Sequence, residues 1–229
     1  MGRNLYIIGE FAAGWEPHEA TNRAIVHSAA KIEIDVEPQW LSSENLDPQK
    51  FRQADALWIA PGSPYKNLEN TIETIRIARE NNIPTLGTCG GFQYMIVEYA
   101  RNVLGLPNAQ HMEHDADASE LFISKLACSL LGQTLPINLI DNSQVQRIYS
   151  ASRVEERYYC QFGINPEFTP ALQAKGDLTF PGTDDEGELR ILERPSHPFF
   201  IGTLFVPQTR SASDQPHPIV TALLQSTLK

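Results

Sequence analysis

The stretch that decides the fold is Gly87-Thr88-Cys89-Gly90-Gly91-Phe92-Gln93. It follows a short apolar run at residues 84–88, which is typical of a buried strand. A stripe with helical spacing comes after it, at Phe92, Met95, Ile96, Tyr99 and Val103. A strand-to-helix turn with glycines around a nucleophilic residue type is a nucleophile elbow.

Cys89 stands at the first turn of the predicted helix. Glycines on both sides permit strained backbone and close approach of another chain segment. A helix N-terminus stabilises a thiolate, and its free N–H groups can hold an oxyanion. We therefore predict that Cys89 is a catalytic nucleophile, the alternative being an inert buried cysteine in a βα turn. Cys128 and Cys160 lack this setting and are predicted to be structural.

Outward from the elbow, strands and helices alternate. Apolar runs at 5–8, 34–41 and 56–60 predict further strands, and helical spacing begins at Pro17 and at Leu68. This alternation predicts a mainly parallel central sheet covered by helices on both faces, a three-layer α/β sandwich. The second half is less regular, with short β-like runs at 177–180, 189–193 and 199–205 and a closing helix at 218–228. No linker or repeat interrupts the chain, so residues 1–229 are predicted to form one domain.

Composition excludes several classes of function. The 229 residues include 18 Lys plus Arg and 28 Asp plus Glu, a formal net charge of -10. Binding to nucleic acid or to an anionic membrane requires the opposite charge. No apolar run reaches the ~20 residues that cross a bilayer, and the N-terminus does not have the pattern of a signal peptide. Three scattered cysteines predict a reducing, cytoplasmic location rather than a disulfide framework.

Several segments resemble one known family. Residues 75–84, the elbow and residues 99–106 closely resemble the glutaminase domain of CTP synthase, a class I glutamine amidotransferase. The likeness continues in the first helix, at 195–200 and at His217-Pro218, and so spans nearly the whole chain. The resemblance implies a flavodoxin-like three-layer fold and hydrolysis of glutamine through a thioester on the elbow cysteine.

The resemblance also implies roles for individual residues. Cys89 matches the nucleophile, and Glu113 falls where the family holds the amino group of glutamine. Gly62 and Ser63 match the loop beside the oxyanion, with Ser63 in place of a glycine. The stretch that contacts glutamine is matched by Gly90, Gly91, Phe92 and Gln93.

Three positions depart from the family pattern. The family carries its catalytic His and Glu in a Phe-His-Pro-Glu string, and here Val206 and Gln208 occupy those two places. Gln161 stands where the family grips the glutamine carboxylate with an Arg. Loss of one member of a catalytic triad costs up to roughly 10⁶-fold in rate. We therefore predict that the chain is not an efficient glutaminase.

Another group is then needed to activate Cys89. Glu10 ends the first strand, and strand ends in a doubly wound sheet meet at the same edge as the elbow. His111 and His114 follow the elbow helix and titrate near neutral pH. Each has a plainer interpretation, a solvated strand-end carboxylate for Glu10 and a polar surface loop for the histidines. No second ligand cluster accompanies them, so neither a metal site nor a cofactor is predicted.

Three functions remain open on the sequence alone. The leading hypothesis is a free-standing amidotransferase-like protein that uses Cys89 for amide or acyl hydrolysis. The second is a pseudoenzyme that binds a ligand or a partner through the former active-site cleft, and the third is a cysteine-based redox or detoxifying protein. The expected partners are a small molecule, such as a glutamine-like amide, and either a second copy of the chain or a partner synthase.

Overall fold

The computed structural model describes residues 2–174 and 176–228. The strands within them are β1 (Arg3–Ile8), β2 (Val36–Leu41), β3 (Ala56–Ile59), β4 (Thr85–Thr88), β5 (Ala109–His111), β6 (Glu120–Lys125), β7 (Thr134–Leu139), β8 (Arg153–Arg157), β9 (Phe162–Ile164), β10 (Thr179–Thr183), β11 (Leu189–Glu193) and β12 (Phe200–Thr203). The α-helices of the same residues are α1 (Glu16–Ile32), α2 (Leu68–Glu80), α3 (Gly90–Asn102), α4 (Gln144–Tyr149), α5 (Thr169–Ala174) and α6 (Pro218–Ser226).

The central sheet has nine strands in the order β2-β1-β3-β4-β12-β11-β10-β7-β8. Pairings from β2 to β12 are parallel, as predicted, whereas those from β12 to β8 are antiparallel. The predicted parallel pairing is thus confirmed for the half from β2 to β12, whereas the half from β12 to β8 is antiparallel. Short loops at 184–188 and 194–199 join β10, β11 and β12, and loops this short connect antiparallel neighbours only.

Helices cover both faces of this sheet. The helix α1 links β1 to β2, and α2 links β3 to β4. In the sheet, β2 and β4 lie on opposite sides of the adjacent strands β1 and β3. Because parallel crossovers are right-handed, the two helices lie on opposite faces. Accordingly, α1 packs against α6, and α2 packs against α3. The predicted three-layer α/β arrangement is confirmed.

A second sheet, in the order β5-β6-β9, packs against α3. The sequence did not predict these strands, because β5 and β9 have three residues each and β6 is buried in only part of its length. The small sheet places His111, at the end of β5, and Phe162, at the start of β9, beside the elbow helix.

Two side-chain contacts hold the elbow in place within the core. The Nε1–H of Trp58 on β3 donates to Oγ1 of Thr88, at a distance of 3.1 Å, just before the elbow. The buried Arg79 on α2 donates from Nε and from one terminal nitrogen to the Glu98 carboxylate on α3, at 3.0 and 2.9 Å. Breaking such a buried ion pair costs about 3–5 kcal/mol, so the pair fixes α3 firmly against α2.

Candidate active site

Cys89 lies at the carboxyl edge of the parallel half of the sheet. Because β1, β3, β4 and β12 run in the same direction, the residues that follow each of them meet at this edge. The backbone N–H of Cys89 donates to the carbonyl oxygen of Thr203, at 2.8 Å. The elbow is therefore tied directly to the end of β12.

The backbone at Cys89 adopts the strained turn that the glycine pattern predicts. Its φ and ψ are 52° and -109°, and it is the residue before the first turn of α3. A non-glycine residue in such a region costs of order 1–3 kcal/mol, and such strain is concentrated at functional sites. The N–H groups of Gly90 and Gly91 have no acceptor inside the helix, because the first bond of this turn runs from Gln93 N to Cys89 O, at 3.3 Å. They are available to stabilise an anion.

The glycines after Cys89 bring a second loop against the elbow. A Cβ on Gly90 would collide with the carbonyl oxygen of Gly62, and a Cβ on Gly91 would collide with that of Ile59. The loop at 61–63 consequently lies in backbone contact with α3. The structure thus brings the predicted Gly62 and Ser63 together with Cys89.

His18 holds this loop from the other side, a role that the sequence analysis missed. Its Nε2 contacts the carbonyl oxygen of Pro61 at 2.9 Å, and its Nδ1 accepts from the backbone N–H of Ala12 at 2.9 Å. The ring is therefore the neutral tautomer with hydrogen on Nε2. Burial lowers the pKa of His18, which keeps it in this form.

The Sγ atoms of Cys89 and Cys160 are joined in a disulfide. Cys160 lies between β8 and β9, and its Cα is 6.1 Å from that of Cys89. Both residues are buried, with 6% and 2% of their surface exposed. The sequence did not predict this pairing, because two cysteines that are far apart in sequence cannot be recognised as partners by local patterns.

The disulfide lies in a cleft of about 210 Å³. The residues that line this cleft are Trp15, Gly62, Ser63, Cys89, Gln93, Glu113, Tyr159, Cys160, Gln161 and Phe162. Glu113 is the one charged residue among them. Its Oε2 atom is buried without a hydrogen-bond partner in the described chain, and it lies 3.7 Å from Nε2 of the neutral His111. A volume below the usual lower limit of about 300 Å³ favours a small ligand, and a carboxylate oxygen that accepts no hydrogen bond favours an amino group on it.

His111 does not contact Cys89 in the described interactions. Its Nε2–H donates to Oε1 of Gln93 at 2.9 Å, and its Nδ1 accepts from the backbone N–H of Glu113 at 3.1 Å. Burial, and to a smaller extent His114, lowers the pKa of His111 to about 3, so the ring is neutral at physiological pH. His111 orients Gln93 and Glu113, and these contacts do not support the hypothesis that it activates the thiol.

His114 and Glu10 also have other partners. The His114 Nε2 atom lies 2.8 Å from the Tyr94 hydroxyl, and burial lowers its pKa. The Glu10 carboxylate accepts from Ser42 Oγ and from the backbone and hydroxyl of Ser43, at 2.6, 3.0 and 2.5 Å. Partial burial acts against these bonds, but they outweigh it and lower the pKa of Glu10. None of these described contacts joins either residue to the Cys89 sulfur, so activation of Cys89 by Glu10 or His114 stays a prediction.

Phe92 has a different position from the other residues predicted to contact substrate. Its side chain is fully buried in the core beneath α3, so only its backbone can face a ligand. Gln93, by contrast, lines the cleft and is fixed by a second bond from its Nε2–H to the carbonyl oxygen of Phe162, at 2.8 Å. Within residues 2–174 and 176–228, no cluster of three or more His, Cys, Asp or Glu could hold a metal ion.

The sequence profile of the family described as glutamine amidotransferase class-I matches residues 17–225. The chain belongs to the class I glutamine amidotransferases. The CTP synthase of Caldivirga maquilingensis is 36% identical over 218 residues, which cover 90% of this chain and 40% of that protein. The CTP synthase of Cytophaga hutchinsonii is 31% identical over 97% of this chain and 44% of that protein. The chain thus spans less than half the length of these curated relatives.

Solved amidotransferases share the fold. The glutaminase domain of Trypanosoma brucei CTP synthase with bound acivicin has a TM-score of 0.90 at 18% identity, covering 99% of this chain and 94% of that one. A glutamine amidotransferase from Thermotoga maritima has a TM-score of 0.61 at 11% identity, covering 100% and 97%. The predicted class I amidotransferase fold is therefore confirmed.

The three positions that the sequence analysis predicts to depart from the amidotransferase pattern have defined surroundings. The Val206 side chain is fully buried, and its backbone N–H donates to the carbonyl oxygen of Arg157 at 2.8 Å. Gln208 is buried, and its Nε2 donates to Thr21 Oγ1 on α1 at 3.2 Å. Gln161 lines the cleft, where no Arg or Lys accompanies it among the described lining residues. The helices of the described residues include none that is both long and apolar enough to span a bilayer.

Proposed function

We propose that this amidotransferase domain uses the reduced thiolate of Cys89 to attack a small amide or ester that carries an amino group, and that it is not an efficient glutaminase. The observation that carries the proposal is the cleft itself. It combines an elbow cysteine, free N–H groups in the first turn of α3 and a Glu113 Oε2 atom that accepts no hydrogen bond in the described chain.

Each component has a chemical role in this proposal. The N-terminus of α3 favours the thiolate, and its free N–H groups stabilise the oxyanion that forms when sulfur attacks a carbonyl carbon. The Glu113 carboxylate accepts from the amino group of the substrate. Gln93, held by His111 and Phe162, forms a rigid wall beside the reacting carbon.

Glutamine itself is disfavoured by the groups that face it. With Gln161 in place of a cation, the α-carboxylate loses a charge-assisted hydrogen bond worth roughly 1.5–3 kcal/mol. The apolar Val206 cannot accept a proton, and Gln208 donates to α1 rather than supporting an imidazole. Because the matched relatives are CTP synthases of more than twice this length, the proposed partners include a synthase or a second copy of the chain.

The test is formation of an acyl-enzyme by the reduced protein. Intact-mass spectrometry should show a glycyl adduct on Cys89 after incubation with glycinamide or glycine methyl ester, and little or no glutamyl adduct after incubation with glutamine. The adduct should disappear in Cys89→Ser and decrease in Glu113→Gln, whereas Cys128→Ser serves as the matched cysteine control. Absence of an adduct with every compound would favour the alternative, a ligand-binding domain without chemistry, for which the buried Gln208 and Val206 are the motivating observation.

A further inference from the structure

Cys89 and Cys160 come from separate parts of the fold and meet in the cleft. Their separation in sequence is 71 residues, and their Cα atoms are 6.1 Å apart. Disulfides generally join residues whose Cα atoms are about 4.4–6.8 Å apart, and this separation lies within that range. Both residues line the cleft, so a small molecule that enters it lies next to them.

Cys160 is also held in place when it is reduced. Its Sγ lies 3.0 Å from the carbonyl oxygen of Leu204, just beyond β12, so a thiol at this position can donate to that oxygen. The neighbouring segments run side by side, since Val206 N donates to Arg157 O. The group beside the Cys89 sulfur is consequently a second sulfur.

The third cysteine provides a contrast within the same chain. Cys128 is exposed and unpaired in the described structure. It does not lie at a strand-to-helix turn and does not line the cleft, so it serves as the control cysteine.

We propose that Cys89 and Cys160 form a redox-active dithiol–disulfide couple that exchanges two electrons with a small disulfide bearing amino groups. In a reducing compartment, protein disulfides are usually transient and catalytic or redox-sensing, which is the behaviour this pair requires. The amino groups are selected by Glu113, the one charged residue that lines the cleft. This activity goes beyond the acyl chemistry proposed above, although both use Cys89.

The exchange balances in two steps. The Cys89 thiolate attacks one sulfur of the disulfide RSSR, the RS–SR bond breaks, and the departing thiolate takes up the proton that Cys89 released. A mixed disulfide on Cys89 remains. The Cys160 thiolate then attacks the Cys89 sulfur, the second RS⁻ leaves, and it takes up the proton from Cys160. The sum is P(SH)₂ + RSSR → P(S–S) + 2 RSH, in which the protein is oxidised and the small disulfide is reduced.

The first experiment follows the reaction of the reduced full chain with cystamine. In Cys128→Ser, which lacks the exposed third thiol, both cleft thiols should be lost, the Cys89–Cys160 cross-link should form and two cysteamines should be released per chain. Adding Cys160→Ser to this variant should stop the reaction at the mixed disulfide on Cys89 and release one, with Cys160→Ala as a second variant in case the serine protein does not fold. The wild type should form the same cross-link and release one further cysteamine, from Cys128. A stable mixed disulfide on Cys89 in the wild type would overturn the proposal.

The second experiment separates a redox couple from a structural disulfide. The protein is equilibrated in cysteamine–cystamine buffers of graded ratio, and the fraction cross-linked is read by differential alkylation and peptide mapping. A reversible midpoint with intact circular dichroism supports the couple, whereas a pair that stays oxidised until the protein unfolds contradicts it.

The third experiment tests whether the cleft prefers a small disulfide that carries amino groups. Oxidation by cystamine should be several-fold faster than oxidation by 3,3′-dithiodipropionate, an anionic disulfide of similar size, and the ratio should fall towards one in Glu113→Gln. Equal rates in the wild type would contradict the selection of amino groups. Acyl-adduct formation in Cys160→Ser reports on the proposed acyl chemistry alone, so the two proposals fail independently.

Discussion

The Nε2–H of His111 donates to Oε1 of Gln93 across 2.9 Å, inside the protein and away from solvent. The same amide donates from Nε2 to the carbonyl oxygen of Phe162, at 2.8 Å. Because the amide accepts from one sheet-borne residue and donates to another, its orientation is fixed. The cleft wall is thus set by a neutral histidine that does not touch the reacting sulfur.

Neutrality of His111 makes the fold sensitive to acid. Burial lowers its pKa to about 3, against about 6.5 in an unfolded chain. The His111 imidazole therefore binds a proton more readily in the unfolded chain than in the folded one. Its contribution to the free energy of unfolding is fully present above pH 6.5. That contribution is lost as pH falls from there towards 3, by about 2 kcal/mol between pH 7 and pH 5. Urea unfolding at graded pH should show a shallower acid slope in His111→Gln. His27→Gln, half-exposed on α1, is the control, and an unchanged slope in His111→Gln would contradict the assignment.

Glutaminase activity should be negligible in the isolated protein, even with reductant present. Ammonia release should lie several orders of magnitude below the typical enzyme rate of about 10 s⁻¹. The triple variant Val206→His, Gln208→Glu, Gln161→Arg supplies a base, its carboxylate and a cation for the substrate carboxylate. It should release ammonia faster than the wild type in a coupled assay, and adding Cys89→Ser should remove the gain. Turnover of glutamine by the wild type at roughly 1 s⁻¹ or more is the contrary result.

Thiol labelling should depend on oxidation state. Iodoacetamide should modify only Cys128 in the oxidised native protein, because this cysteine is exposed and the other two are bonded to each other. After mild reduction, Cys89 should react ahead of Cys160, since it lies at a helix N-terminus, whereas the Cys160 sulfur contacts Leu204 O. Peptide mapping by mass spectrometry measures the order. Labelling of Cys160 before Cys89 would count against the elbow assignment.

Oxidation should stabilise the folded chain. A cross-link across 71 residues removes enough loop entropy from the unfolded state to add about 4 kcal/mol to the free energy of unfolding, in the chain-entropy model. Denaturant unfolding of oxidised and reduced protein should differ by up to this amount. Cys160→Ser should have the same free energy of unfolding in both conditions, whereas Cys128→Ser should show the same difference as the wild type. Equal stability of the oxidised and reduced wild type would show that the bond does not persist in solution.

The first half of the fold was predictable because its signals are local. The apolar run before Cys89, the glycines after it and the helical stripe of α3 are contiguous in sequence, and the structure reproduces each. Strand bounds moved by only a few residues, as for β2, which begins at Val36 rather than at 34.

The partners within the site could not be predicted, because tertiary contacts define them. Cys160 reaches Cys89 only after β8 and the following segment pair with the chain beyond β12. His18 has the spacing of an ordinary buried helix residue, and nothing in that spacing indicates its bond to Pro61. Glu10 does follow β1 at the expected edge, but the hydroxyls of Ser42 and Ser43 bind its carboxylate there.

The close contact of Gly90 with Gly62 fixes main-chain atoms next to Cys89, and no side chain at either position takes part in it. The cleft is otherwise lined in part by the replaceable side chains of Trp15, Tyr159, Gln161 and Phe162. Ligand preference in this scaffold is therefore open to redesign from the rim, through substitutions that leave the strained turn and its amide donors untouched.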